Sequence, residues 1–234
     1  MTCDAYIEQI KREYQLLNVL SSKNGSQVLR LRHSRLGREI VLKRYQKEVR
    51  SYDLLKQVRH NNIPEVYDTI SLEDGQIVLE EYISGLTIAQ ILECGTYTYH
   101  GAKKVLFGVC SAVGFLHSMG IVHRDIKPEN ILISETGIVK LLDMDATRQV
   151  AAGIRRDTEV LGTIGYAPPE QFGLSQSDAR TDIYAMGVLL NVMLTGQHPS
   201  CLLAKGKAGR IVKKCTMIDP GSRYGTVEKL LQAL

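Results

Sequence analysis

His123-Arg124-Asp125-Ile126-Lys127-Pro128-Glu129-Asn130 is the stretch that decides how this chain is read. It places a carboxylate, an ammonium and a carboxamide on one loop. Residues 131–134 and 138–142 follow as a small hairpin turned at Thr136-Gly137, which brings Asp143 back beside that loop. Two carboxylates and an amide on adjoining turns suit a metal–phosphate site. Mg²⁺ prefers hard oxygen ligands and takes only one or two from protein, leaving the others to phosphates and water. Asn130 and Asp143 can supply them. Asp125 is then left to hold an attacking hydroxyl, and Lys127 to neutralise a transferred phosphoryl group. The bland alternative is a helix-to-strand turn whose polar residues cap one another.

Working outward, the pattern differs on the two sides of the loop. Leu106, Val109, Cys110, Val113 and Leu116 recur at helical spacing, which predicts a long helix over 101–119. A second long helix is predicted over 181–194, with shorter ones near 209–215 and 226–234. Toward the N-terminus, Ile7, Ile10, Tyr14 and Leu17 open the chain with a short helix that gives way to a strand over 14–20. Residues 27–33 and 38–44 read as a strand pair turned at Ser34-Arg35-Leu36-Gly37. Residues 66–72 and 76–82 form a second hairpin at Asp74-Gly75, and 46–58 a helical piece between the pairs. The expected fold is α+β: a small antiparallel sheet over 1–83 and a mainly helical part over 84–234, jointed at Ile83-Ser84-Gly85.

Composition narrows the class. The chain has 234 residues, enough for one large domain or two lobes. Its net charge of +4 is modest, and the basic cluster before about position 60 reads as the solvated face of a small sheet, so a nucleic-acid surface is not expected. The five cysteines are odd in number and unpaired in spacing, which fits a reducing compartment. Met1-Thr2-Cys3-Asp4 starts no signal peptide, and no apolar run approaches the roughly 20 residues that cross a bilayer. The expectation is a cytoplasmic protein with no membrane partner, its oligomeric state unread.

The segment from His123 to Asn130 resembles the catalytic loop of the eukaryotic-type (Hanks-type) protein kinase superfamily at every defining position. Lys127, two residues after the aspartate, is similar to the serine/threonine branch. Leu142-Asp143-Met144-Asp145 stands where the family has Asp-Phe-Gly, and Gly162 to Glu170 resembles the end of an activation segment. The resemblance covers nearly the whole chain after about residue 14. It implies a two-lobed kinase domain over 1–234 that uses ATP and Mg²⁺ and acts on serine and threonine hydroxyls of proteins. It implies Asp125, Lys127 and Thr163 as the residues at the transfer step, with Asn130 and Asp143 on the metal. In Ile40-Val41-Leu42-Lys43, Lys43 would meet the α- and β-phosphates and Val41 the adenine. Val28 would roof the adenine, Leu132 would floor it, and Glu81 and Ile83 would offer it main-chain hydrogen bonds. Glu170 paired with Arg223, and Asp182 under the loop, are implied as structural supports. Thr158 is the preferred phosphosite, with Arg124 as its receiver.

Three departures from the pattern stand out. Ser21 to Val28 holds one glycine, Gly25, where the family usually has three, so looser nucleotide binding is expected. The helix glutamate that holds the lysine is missing: its expected position falls on Ser51, and Glu48 is only five residues from Lys43. Glu80, at the gatekeeper position, is the other candidate partner, because a buried carboxylate there needs a cation. An outward-turned or backbone-bonded Glu80 is the alternative. Third, Asp145 replaces the glycine after Asp143, and Met144 replaces phenylalanine. These losses leave a second reading open, a nucleotide-binding scaffold of the same fold. A small-molecule kinase is a third, opposed by the segment 162–170.

Overall fold

The computed structural model describes residues 1–23, 25–149, 165–172 and 177–234. They divide into two compact units, Met1–Ser84 and Gly85–Leu234.

The first unit is a five-stranded antiparallel sheet in the order β1-β2-β3-β5-β4, with β1 (Tyr14–Lys23), β2 (Ser26–His33), β3 (Glu39–Tyr45), β4 (Val66–Leu72) and β5 (Gly75–Glu81). Period-2 alternation gives it two faces. Leu29, Leu31, Ile40, Leu42 and Ile77 point to one side, where Cys3 and Ile7 of helix α1 (Cys3–Ile10) close a core over them. Thr2 caps that helix by accepting from the Ala5 N–H. Val28, Val41, Lys43, Tyr45, Gln76, Val78 and Glu80 share the other face by register.

Helix α2 (Ser51–Leu55) is much shorter than the piece expected over 46–58. Residues 46–50 are held instead by the sheet: the Val49 N–H donates to Gln76 Oε1 at 2.8 Å and Glu48 accepts from Ser71 Oγ at 2.7 Å. Arg50 at the N-cap makes no side-chain capping bond.

The second unit is mainly helical. It begins with β6 (Gly85–Thr87) and α3 (Ile88–Cys94), followed by α4 (Tyr99–Ser118) and β7 (Ile121–Val122). Strands β8 (Ile131–Ser134) and β9 (Val139–Leu141) make the expected hairpin, and β6 joins it as a third strand. β10 (Arg148–Gln149) pairs with β7. Helices α5 (Ala179–Thr195), α6 (Gly206–Cys215) and α7 (Val227–Ala233) complete it. The buried faces of α4 and α5 carry the core, with Leu106, Val109, Val113, Leu116, Met186, Leu189 and Leu190 all at or near zero exposure. Gly187 lets α6 approach α5: a Cβ there would lie 2.3 Å from Cys215 Cβ. Among the described residues no helix is long and apolar enough to cross a membrane.

Candidate active site

In the helical unit, the loop from His123 to Asn130 is anchored from beneath by one carboxylate. Asp182, on the first turn of α5 and fully buried, accepts from the Arg124 N–H through Oδ1 at 2.8 Å. Its Oδ2 accepts from the His123 N–H at 2.9 Å and lies 2.8 Å from His117 Nε2. A buried charge is tolerable only with such partners. The support implied for Asp182 is therefore present.

His123 is a second anchor. It is fully buried, and that burial pushes its imidazole below the ordinary value of 6.5 against the opposing pull of Asp182 and Asp125. Its two nitrogens face different groups, Nε2 the Leu142 carbonyl at 3.2 Å and Nδ1 the Asp125 N–H at 3.3 Å. Only the neutral Nε2–H tautomer satisfies both. One ring thus ties the loop to the end of the hairpin that carries Asp143.

On this frame the loop's polar side chains converge. Lys127 Nζ donates to Asp125 Oδ2 at 2.6 Å, and Asn130 Nδ2 donates to the same oxygen at 2.8 Å and to the Asp125 carbonyl at 2.9 Å. Two donors on one oxygen fix the plane of the carboxylate. The Asn130 N–H and carbonyl are also used, toward the Lys127 carbonyl and from the Leu142 N–H, which holds Asn130 against the start of the Asp143 turn. Arg124 and Asp143 are the two non-glycine residues with positive φ among those described, at 70° and 61°. Aspartate tolerates this region better than most residues, and such conformations gather where a site is over-determined by its surroundings.

The donor chemistry fits Mg²⁺. With its NH₂ spent on Asp125, Asn130 presents its amide oxygen as the remaining ligand atom, and Asp143 offers a second hard oxygen. No group of three or more His, Cys, Asp or Glu side chains able to hold a metal occurs among the described residues. Leu132, on β8 opposite Thr87 and Lys140, is buried. Thr163 and Thr158 lie outside the described residues.

In the sheet unit, Lys43 Nζ lies 2.9 Å from Glu80 Oε1, with the two side chains 6% and 7% exposed. Lys43 also donates to Tyr52 Oη at 3.0 Å, and Tyr52 Oη is 3.0 Å from Tyr45 Oη. Of the partners left open by the sequence, Glu80 is the one in contact, and Glu48 is turned to Ser71. Tyr52 is a member of this cluster that sequence reasoning missed. Position counting pointed to its neighbour Ser51, and nothing marks an interior tyrosine as a lysine acceptor. Val28 lies opposite Lys43, and Val41 is buried beside it on the same face. The Glu81 N–H is committed to the Glu65 carbonyl at 2.8 Å, while the Ile83 N–H makes no hydrogen bond among the described residues. The glycine-poor segment is a hairpin paired as far as Lys23↔Ser26, with Gly25 at φ 77° in its turn.

Further along, Arg223 forks onto Glu170, Nη1 to Oε1 at 2.6 Å and Nη2 to Oε2 at 2.9 Å, with the Arg223 side chain fully buried. The Arg180, Met217 and Ile218 carbonyls take its other donors. A bidentate pair with every proton satisfied is a structural clamp.

The protein kinase domain family matches residues 14–223. The chain is 32% identical over 210 residues to the probable serine/threonine-protein kinase PknB of Bifidobacterium longum, covering 80% of this chain and 30% of that protein. It is 33% identical over 208 residues to the serine/threonine-protein kinase PknB of Mycobacterium tuberculosis, covering 80% and 33%. It is 32% identical over 163 residues to the probable serine/threonine-protein kinase CPE1738 of Clostridium perfringens, covering 69% and 23%. The chain thus spans about a third or less of the length of these curated relatives. From the span of that match, and from a catalytic-type loop braced by Asp182, the chain belongs to the protein kinase domain family.

Proposed function

We propose that residues 1–234 act as one kinase domain that transfers the γ-phosphoryl group of ATP to serine or threonine hydroxyls of proteins. The observation that carries this reading is the converged Asp125, Lys127 and Asn130 side chains on a loop whose backbone is pinned by Asp182. Phosphoryl transfer asks mainly for positioning and charge stabilisation. Asp125 orients the acceptor hydroxyl and takes its proton. Lys127, 2.6 Å from Asp125, offers positive charge to the moving phosphoryl group. Asn130 and Asp143 hold Mg²⁺, which when bound draws charge from the phosphate oxygens. Lys43 neutralises the α- and β-phosphates, while Val28, Val41 and Leu132 enclose adenine, and the Glu81 carbonyl and Ile83 N–H bond to its edge. Thr163 sets the hydroxyl-binding side of the loop. A cytoplasmic location belongs to the same reading.

A nucleotide-binding scaffold is the second reading, favoured by the β1–β2 hairpin that carries a single glycine and pairs nearly to its tip. The test is incubation with Mg²⁺ and labelled ATP, alone and with a generic basic protein, beside Asp125→Ala. Label transferred by the wild type and not by the variant supports the kinase. ATP binding without Asp125-dependent transfer supports the scaffold.

A further inference from the structure

We propose that Glu80 is the positioning residue for Lys43, so that this lysine's counter-charge is set by strand register and not by a carboxylate of helix α2. The inference deepens the kinase reading and rests on it.

In the β3–β5 ladder Lys43 lies opposite Val78, and Glu80, two residues on, shares its face. This diagonal pair is within reach of long side chains. The ladder runs unbroken from Ile40↔Glu81 to Tyr45↔Gln76 and fixes both Cα positions. Both side chains are buried, so the ammonium cannot exchange its counter-charge for water.

Helix α2 has no carboxylate for the task. Between Lys43 and Leu55 the acidic residues are Glu48 and Asp53, and both turn to β4. Glu48 accepts from Ser71 Oγ at 2.7 Å and Asp53 from Thr69 Oγ1 at 2.6 Å. What α2 contributes is neutral, the Tyr52 hydroxyl, itself bonded to Tyr45 of β3. The charged contact to the lysine's ammonium, Glu80, therefore belongs to the sheet, as does Tyr45, which holds the Tyr52 hydroxyl.

The experiment measures steady-state phosphorylation of a generic basic protein against ATP concentration for the wild type, Glu80→Gln, Glu80→Asp and Glu48→Ala, with Asp125→Asn as control. Glu80→Gln raises the KM for ATP and lowers kcat/KM by about 10- to 100-fold, the cost of a misplaced positioning group. Glu48→Ala stays within about 2-fold, as an exposed change away from the site should. A merely structural Glu80 would lower the thermal midpoint and kcat while leaving KM untouched. Wild-type KM in folded Glu80→Gln, or an equal rise in Glu48→Ala, overturns the proposal. If Glu80→Gln does not fold, Glu80→Asp decides: one methylene short, it raises KM if the proposal holds and keeps it if not. If the wild type transfers nothing, the kinase reading fails by itself. Glu80 is then tested by Mg·ATP titration calorimetry, where equal Kd for wild type and Glu80→Gln overturns it.

Discussion

The two polar centres of this chain are built on opposite plans. In the helical unit, the loop around Asp125 is held through its main chain: Asp182 takes two consecutive N–H groups and His123 a third. The side chains that remain are available for chemistry. In the sheet unit, Lys43 is held through its side chain, by a carboxylate and a hydroxyl, while its backbone is an ordinary rung of the ladder. A loop pinned by its backbone ties particular positions, His123, Arg124 and Asp125, to particular partners. A strand lysine needs only some carboxylate within reach, and register can supply one from several places.

The sharpest way to break this contrast is at the loop. Asp125→Asn keeps the shape and the Asn130 contact but removes the base, and transfer should fall about 10²- to 10⁴-fold with the fold intact. Labelled-ATP assays beside circular dichroism check it. An active Asp125→Asn would mean that the loop is supported but not used.

The clamp at Glu170 offers the purely structural comparison. Arg223→Met leaves a buried carboxylate without its guanidinium and should cost about 3–5 kcal/mol in urea unfolding, with Glu170→Leu in addition recovering part of it. Recovery of stability with transfer unchanged would separate this pair from the Lys43–Glu80 pair.

Asp182→Asn tests the backbone anchoring itself. The amide can accept for only one of the two buried N–H groups, so the loss should be about 1–3 kcal/mol together with weakened transfer.

The smallest effect belongs to His123. Its folded-state pKa lies below 6.5 because burial disfavours the charged ring, so the unfolded chain binds the proton first. The stability it contributes is complete above pH 6.5 and is lost as the pH falls toward the folded value. Thermal midpoints across that window should decline less steeply in His123→Phe than in the wild type.

Much of the fold was legible. The hairpins at Asp74-Gly75 and Thr136-Gly137 lie where turn chemistry and alternation place them, and α4 and α5 differ from expectation by only a few residues at their ends. Helix α3 was missed although a capping box, Thr87 with Gln90, announces it. Its seven residues are too few for a periodicity argument. Helix α2 is shorter than its sequence predicts because Gln76 and Ser71, distant in sequence, claim the residues before it.

By itself, the sequence determined the loop from His123 to Asn130, since its residues answer to one another across a few positions and such spacing survives in one dimension. It determined the α+β division as well, through two different periodicities. The holder of Lys43 was decided only in the tertiary structure. Glu80, Glu48 and no partner at all were all left open by the residues in order. A one-residue slip between β3 and β5 would have sent Glu80 to the opposite face. Strand register, and the turning of Glu48 and Asp53 toward β4, made the choice.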